Sequence, residues 1–234
     1  MNNQLRPQSI CTAVALACLG FSSSALADRN CSGTIGPVTI DDNVVVQNAS
    51  CTLNGTMVKG NVLVNSGGRL TTLGAQIEGS IQAKDAVSIT VEPNTFVDGD
   101  IQLENMSRTS KVTYSEVTGN IQLKYNRQAV TVNYNTVAGD IKFEELNAGT
   151  YTANVRFNTV GGNIQMTKNR IKSLILNSNR VDGDMQVFEN RASTSIVIRS
   201  NQISQNLQCN SNTPAPIGGS NTVGGAKEEQ CRNL

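Results

Sequence analysis

The stretch VTGNIQL at residues 117–123 decides the fold, because near-copies of it recur along the chain at an almost constant interval. The most similar copies are VDGDIQL at 97–103, VAGDIKF at 137–143, VGGNIQM at 160–166 and VDGDMQV at 181–187. Weaker copies extend the series from Gly60 to Gly225, with about 20 residues between successive central positions. A regular period of this length is typical of a solenoid, in which each repeat forms one coil.

The residues after each central glycine alternate between apolar and polar, which predicts a half-buried strand. Ile121 and Leu123, like their equivalents in other coils, should face the interior, while the residue between them faces outward. An outward polar row can bind a glycan or a protein, or its stacked amides can satisfy one another, and the second role is the more ordinary one. The row consists of Gln82, Gln102, Gln122, Gln165, Gln186 and Gln208.

A second strand is predicted before each glycine, with Val112, Val132 and their equivalents facing inward. Tyr114, Tyr134 and Phe157 follow two positions later, so we expect them to stack inside the solenoid. Asparagine occupies the next position, where side-chain amides in register can form a hydrogen-bonded ladder from coil to coil. The predicted ladder consists of Asn135, Asn158, Asn179, Asn201 and Asn221.

Two strands and two corners per coil predict an all-β, single-domain right-handed parallel β-helix of about nine coils, with about 20 residues per coil. We expect an N-terminal cap and first coil at 28–54, coils at 55–209, and a C-terminal coil and cap at 210–234. The central glycine should adopt positive φ at a corner. Extra residues should form loops near 147–149 and 168–172, and the segment that follows Cys209 should be another loop.

Residues 1–27 have the pattern of a secretory signal peptide: Arg6, an apolar run at 10–21 and the cleavage pattern ALA at 25–27. The apolar run is too short to span a membrane. We therefore expect a bacterial protein that is secreted or periplasmic, has no membrane span and begins in its mature form at Asp28.

Four cysteines remain after residue 27, and their spacing indicates how they pair. Cys31 and Cys51 are 20 residues apart, and Cys209 and Cys231 are 22 apart, so the members of each pair lie one coil apart. Neighbouring strands are about 5 Å apart, which suits disulfide geometry. We expect the disulfides Cys31–Cys51 and Cys209–Cys231, formed in an oxidising compartment.

Composition narrows the possible functions. The chain after the predicted signal peptide lacks Arg6, so it has 18 of the 19 basic residues and 18 acidic ones. The sequence contains no histidine. Zero net charge argues against bulk binding to nucleic acid or to an anionic membrane.

The nearest candidates for paired carboxylates are Asp98 with Asp100 and Asp182 with Asp184. Because asparagine replaces Asp100 and Asp184 in other coils, we interpret them as corner residues, and we predict no catalytic residues, no metal site and no cofactor.

The coil length, the asparagine ladder, the aromatic stack and the signal sequence resemble the right-handed parallel β-helix proteins of the pectin-lyase-like superfamily, over about residues 55–225. That superfamily includes polysaccharide lyases, glycoside hydrolases, adhesins and phage tail proteins, so the resemblance implies a fold and not one function. The repeat is also similar to that of bactofilins, from which this chain differs in its longer coils, its signal sequence and its cysteines.

These observations favour an exported, non-enzymatic solenoid that is a binding or structural module at the cell surface, in the matrix or in the periplasm. Its expected partner is an extracellular polysaccharide or a surface protein, contacted along the glutamine row. The alternative is a small polysaccharide lyase or glycoside hydrolase, which needs an acidic cluster beside a lysine or arginine. Disulfide-bonded caps argue against end-to-end assembly, so we expect a monomer.

Overall fold

The computed structural model describes residues 28–234, which form an all-β parallel solenoid with three sheets as its sides. The first sheet has eleven strands: Arg29–Asn30, Val44–Val46, Val62–Val64, Ile81–Lys84, Ile101–Glu104, Ile121–Lys124, Ile141–Glu144, Ile164–Thr167, Met185–Phe188, Leu207–Asn210 and Lys227–Glu229. The second has ten: Gly33–Ile35, Ser50–Asn54, Arg69–Leu73, Ser88–Val91, Ser110–Thr113, Val130–Asn133, Asn147–Arg156, Arg170–Asn177, Arg191–Arg199 and Ile217–Gly219. The third also has ten: Thr39–Ile40, Met57–Val58, Gln76–Ile77, Phe96–Val97, Glu116–Val117, Thr136–Val137, Thr159–Val160, Arg180–Val181, Gln202–Ile203 and Thr222–Val223.

Equivalent repeat residues stack in register, because each residue pairs with its counterpart one coil later. In the first sheet Ile101 pairs with Ile121, and Gln102 pairs with Gln122. The inward columns of the first and second sheets are buried, and neither Ile121 nor Val132 has exposed surface. One apolar core therefore runs along the solenoid, and each coil relies on its neighbours to cover it. The predicted class, a right-handed parallel β-helix with about 20 residues per coil, is confirmed.

Each coil has three strands, whereas the sequence predicted two. Two-residue strands such as Glu116–Val117 and Thr136–Val137 form the third sheet, directly before the glycine corner. At most one residue of each such strand, for example Val117, is buried. Periodicity over so short a segment is too weak to separate this sheet from the corner. Residues 28–40 already form a first coil, and the array has about ten coils instead of about nine.

The asparagines that follow the second-sheet strands form a continuous buried ladder. Asn158 Nδ2 donates to Asn179 Oδ1 over 3.0 Å, and Asn179 Nδ2 donates to Asn201 Oδ1 over 3.0 Å. Asn179 Nδ2 also donates to the backbone carbonyl of Val155 over 2.9 Å. The ladder thus satisfies buried backbone groups at a corner, where the chain leaves the sheet. Its members are Asn135, Asn158, Asn179, Asn201 and Asn221.

A second asparagine ladder, not predicted from the sequence, lies at the corner between the first and second sheets. Asn169 Nδ2 donates to Asn190 Oδ1 over 2.8 Å, and Asn190 Nδ2 donates to Asn212 Oδ1 over 3.0 Å. Leu146 occupies the same position one coil before Asn169, and its backbone N–H donates to Asn169 Oδ1 over 3.0 Å. One coil earlier still, the buried Nδ2 of Asn126 has no hydrogen-bond acceptor among the described residues.

The central glycines allow close stacking of the coils, and the positive φ predicted for them is wrong. Gly99, Gly119 and Gly139 do not have positive φ. A Cβ atom on Gly119 would lie 2.7 Å from the carbonyl oxygen of Gly99, well inside van der Waals contact. Positive φ occurs instead at the other two corners, at residues with side chains such as Tyr134 and Glu145.

Tyr114, Tyr134 and Phe157 stack on one another, but on the outside of the solenoid and not in its interior as predicted. Ring centroids are 4.6 Å apart for Tyr114 and Tyr134, and 4.7 Å apart for Tyr134 and Phe157. A φ of 52° to 59° turns each side chain outward, and 43% to 54% of each residue is exposed. The alternation that predicts an inward direction holds only while the backbone stays extended.

Extra residues of the wider repeats extend strands of the second sheet, where loops were predicted. The strand Asn147–Arg156 has ten residues and pairs with Arg170–Asn177 through one register shift. A second shift occurs in the pairing of that strand with Arg191–Arg199. The predicted loop after Cys209 likewise contains a second-sheet strand, Ile217–Gly219.

Both predicted disulfides are present near the two ends of the described array. Cα atoms are 5.5 Å apart in Cys31–Cys51 and 5.3 Å apart in Cys209–Cys231. Among residues 28–234, no helix has the length and apolar character needed to cross a membrane. The signal peptide predicted at 1–27 lies outside the described residues.

Candidate functional site

The glutamine row lies on the outer face of the first sheet, with one residue per coil. Lys142 takes the place of glutamine in the coil between Gln122 and Gln165, so the row is divided into two halves. The N-terminal half is exposed to solvent, whereas the C-terminal half is partly buried. The N-terminal half consists of Gln82, Gln102 and Gln122, and the C-terminal half consists of Gln165, Gln186 and Gln208.

The C-terminal half is hydrogen-bonded within itself. Gln165 Nε2 donates to Gln186 Oε1 over 3.2 Å, and Gln186 Nε2 donates to Gln208 Oε1 over 3.0 Å. Gln208 Nε2 in turn donates to a carboxylate oxygen of Glu228 over 3.1 Å. These amides therefore use much of their hydrogen-bonding capacity inside the protein, as stacked glutamines can.

The N-terminal half keeps its amides available to solvent. Gln102 Nε2 donates to Asp100 Oδ2 over 3.0 Å. The side chains of Gln82 and Gln122 form no hydrogen bond with any described residue. Each free amide can donate and accept, and the coil spacing repeats this capacity about every 4.8 Å. Such a row can hydrogen-bond the hydroxyl groups of an extended chain that lies along the solenoid axis.

Charged side chains flank the glutamine row in the middle of the sheet. Glu144 lies 3.6 Å from Lys124 and 3.4 Å from Lys142. Partial burial alone would raise the pKa of Glu144, but the charges of Lys142 and Lys124 outweigh it, and the pKa is lowered. The neighbouring side chain of Tyr125, whose ring centroid lies 4.9 Å from Lys124 Nζ, raises the pKa of Lys124. Both shifts hold these groups in their charged forms, which is unsuited to proton transfer near neutral pH.

A groove of about 780 Å³ runs along the corner between the first and second sheets. Two columns of residues line the groove. The residues of the first column, such as Glu189, have positive φ, and each residue of the second column, such as Arg191, follows two residues later in the same coil. The groove extends from the coil of Asp85 to the coil of Ser211. Its volume is within the range of ligand sites. The sequence did not indicate this groove, because its lining residues change from coil to coil while the predicted glutamine row stays nearly constant.

The middle ring of the exposed aromatic stack, that of Tyr134, has little face to offer a sugar. Tyr134 is covered on one side by Tyr114 and on the other by Phe157, with planes inclined by 2° and 8°. Mainly the ring edges of Tyr134 meet solvent. Each stacked pair stabilises by about 0.5–1.5 kcal/mol, which helps to offset the cost of positive φ at these large residues.

Of the aspartates that the sequence singled out, Asp100 and Asp184 belong to a third ladder, at the glycine corner. Asp98 instead accepts a hydrogen bond from Thr118, and Asp182 lies 3.9 Å from Arg180. Asp100 Oδ1 accepts the backbone N–H of Asn120 over 2.7 Å and its Nδ2 over 3.0 Å. Asn120 Oδ1 accepts the backbone N–H of Asp140 over 2.8 Å, and Asp184 Oδ1 accepts that of Asn206 over 2.8 Å. Carboxylates and amides therefore alternate, which keeps like charges two coils apart. In residues 28–234, no three or more histidine, cysteine, aspartate or glutamate side chains are grouped to hold a metal ion.

No protein-family model, curated protein or solved structure matches this chain. The geometry of the glutamine row is therefore the basis on which a function can be inferred.

Proposed function

We propose that the chain is an exported, non-enzymatic solenoid that binds an extended glycan along the outer face of its first sheet, at the cell surface, in the matrix or in the periplasm. The observation that supports this is the exposed row of Gln82, Gln102 and Gln122, whose amides recur once per coil. A flat polar face without apolar anchors is a poor surface for a protein partner. Two disulfides fit the oxidising compartment to which residues 1–27 would direct the chain.

Binding at this face should be weak for a short oligosaccharide and stronger for a long polymer. A neutral hydrogen bond contributes about 0.5–1.5 kcal/mol net, so three coils together give an affinity in the millimolar range. A long polymer presents many overlapping sites to the protein, so the apparent affinity per polymer chain is higher although each contact stays weak. Several copies of the module would then coat one polysaccharide chain.

A glycan array that includes cell-wall fractions tests this proposal, with two matched sets of substitutions. Replacing Gln82, Gln102 and Gln122 with alanine should abolish the binding that the unmodified protein shows. Replacing Gln165, Gln186 and Gln208 with alanine should preserve binding and lower the thermal midpoint, because this half is bonded within the protein. Binding that persists in the first set, or an array with no bound glycan, would contradict the proposal.

The same polymers should be assayed for cleavage. New reducing ends or unsaturated products would show that the chain is a lyase or hydrolase and would overturn the non-enzymatic assignment.

A further inference from the structure

The last four strands of the second sheet carry positive charge without negative charge. They contain no aspartate or glutamate, and their basic residues are Arg156, Arg170, Lys172, Arg191 and Arg199. In the chain after the predicted signal peptide, basic and acidic residues are equal in number. The fold therefore segregates charge onto one face of a protein that is neutral as a whole. Such a face attracts an oppositely charged surface although the net charge is zero.

The charges of these five side chains are not neutralised within the protein. Four of the side chains are exposed, and that of Arg156 is half-buried. Among residues 28–234, none of them lies within salt-bridge distance of a carboxylate, and Nε of Arg156 has no hydrogen-bond partner. Glu145 and Glu189 lie at the corner before these strands, with Lys168 in the coil between them. The corner thus lowers the positive charge of the face but does not cancel it.

An apolar row lies on the outer side of the same strands. Ile175 pairs with Val197, and Val197 pairs with Ile217, so the three side chains stack in register. Ile175 and Val197 are partly exposed, and Ile217 is 58% exposed. In the two preceding coils the same column contains Thr131 and Asn154. Apolar side chains that face water in three successive coils indicate a contact surface.

Basic side chains border this apolar row on both sides. Arg199 follows Val197 by two residues, about 7 Å along the strand. On the other side, Arg170 and Arg191 pair with each other, and they precede Ile175 and Val197 in their strands. The face therefore has an apolar centre about 10 Å long, two strand spacings, between two groups of cations.

We propose that this face binds the surface of an anionic phospholipid membrane, with the solenoid axis parallel to the membrane plane. The cations contact lipid phosphates, and the apolar row reaches the boundary between head groups and acyl chains. Tyr151, which is exposed in the strand Asn147–Arg156, adds an aromatic ring of the kind that favours this boundary. The glutamine row lies on a different sheet, so lipid binding does not depend on glycan binding.

Other polyanions and a second copy of the chain fit this face less well. An acidic polysaccharide or a nucleic acid would meet the cations but leave the apolar row in water. Binding of single-stranded nucleic acid also relies on stacking aromatic side chains, and Tyr151 is the one aromatic residue of these four strands. A two-fold dimer through the face would place its cations against those of the partner, where they repel.

Cosedimentation of the disulfide-bonded protein with lipid vesicles tests the proposal. One set of vesicles contains phosphatidylcholine alone, and the other contains equal parts of phosphatidylcholine and phosphatidylglycerol. We expect the protein to bind the anionic vesicles at least tenfold more tightly at low ionic strength, and added salt should weaken the binding. Heparin and duplex DNA are titrated in parallel as soluble polyanions.

Substitutions separate the two parts of the face. Arg170→Gln with Arg191→Gln should weaken binding to anionic vesicles tenfold or more, since each cation at such a surface contributes about fivefold. Ile217→Ser, which leaves the charge unchanged, should weaken vesicle binding about threefold or more without changing the affinity for heparin. Lys84→Gln with Arg180→Gln removes the same charge from the first and third sheets and should leave vesicle binding within about twofold of the original. Far-UV circular dichroism verifies that each variant is folded.

Three results would overturn the proposal: equal binding to both kinds of vesicle, anionic-vesicle binding that survives the double arginine substitution, or an equal loss in the Lys84 and Arg180 control. Tight binding to heparin or DNA, together with vesicle binding that Ile217→Ser does not weaken, would show that the face binds a soluble polyanion and not a membrane. The alanine set at Gln82, Gln102 and Gln122 should leave vesicle binding unchanged, so failure of the glycan proposal and failure of this one can be told apart.

Discussion

Replacing Asn179 with alanine removes the centre of the first asparagine ladder. Asn179 Oδ1 accepts the backbone N–H of Asn158 over 3.1 Å and its Nδ2 over 3.0 Å. Asn179 Nδ2 donates to the carbonyl of Val155 over 2.9 Å and to Asn201 Oδ1 over 3.0 Å. The substitution therefore breaks four buried hydrogen bonds and leaves partner groups unsatisfied inside the solenoid.

The expected loss follows from these contacts. Each broken hydrogen bond costs about 1 kcal/mol, and a buried polar group left without a partner costs about 1–3 kcal/mol. After partial relaxation of the neighbours, we expect the free energy of unfolding to fall by about 3–5 kcal/mol for Asn179→Ala. With a urea dependence of about 2 kcal/mol per molar, the unfolding midpoint should fall by roughly 2 M.

Asn177 provides the matched control, because it lies two residues away on the outer surface. It is half-buried and accepts one hydrogen bond, from Arg199 Nε over 3.3 Å. Asn177→Ala should therefore cost less than about 1 kcal/mol. Urea unfolding followed by far-UV circular dichroism measures both variants. Equal midpoints for Asn177→Ala and Asn179→Ala would refute the view that the ladder is a major source of stability.

Further predictions concern the glycine corner, a disulfide, an ion pair and the N-terminus. Gly119→Ala should destabilise by about 2 kcal/mol or more, because its Cβ would overlap Gly99, whereas Gly149→Ala has open space and should be nearly neutral; similar thermal midpoints would argue against close stacking as the reason for glycine. Replacing Cys209 and Cys231 with serine should lower the free energy of unfolding by about 3 kcal/mol, and an unchanged urea midpoint would count against this estimate. Because the pKa of Glu144 is lowered in the folded protein, its contribution to stability is present above the unfolded pKa of about 4.3 and is lost as the pH falls through the folded value. Glu144→Gln should therefore flatten the acid limb of the pH–stability curve below about pH 5, and a limb as steep as that of the unmodified protein would show that the lysines do not hold this carboxylate. Mass spectrometry of the exported protein should find Asp28 at the N-terminus, and an uncleaved chain would exclude the predicted signal peptide.

The core and the stacking register could be predicted because the same residue types recur at the same position in successive coils. Ile101, Ile121 and Ile141 pair with one another as the period requires. The spacing of Cys31 and Cys51 similarly matched one coil and predicted their disulfide. In each case a sequence interval of about 20 residues becomes a distance of one strand spacing.

Side-chain directions at the corners could not be predicted, because they depend on φ and not on alternation. Tyr134 follows Val132 by two positions, so strict alternation points it inward, but its φ of 59° turns it outward. The second asparagine ladder was missed because Leu146 interrupts it. For the candidate site, alternation gave the outward direction of the glutamine row, but the pattern does not distinguish bonded amides such as Gln186 from free ones such as Gln122. Binding by this row stays a prediction.

The positions of the two disulfides affect how the rod opens. An outer coil of a linear array has a neighbour on one side only, so such arrays tend to unzip inward from their ends. Cys31–Cys51 and Cys209–Cys231 tether coils near both ends to the next ones, so an opened coil gains less chain entropy and recloses more readily. Amide hydrogens in the end coils should then exchange only when the whole array unfolds, as those in the middle coils do. After reduction, the end coils should exchange first, in a fraying that spreads coil by coil.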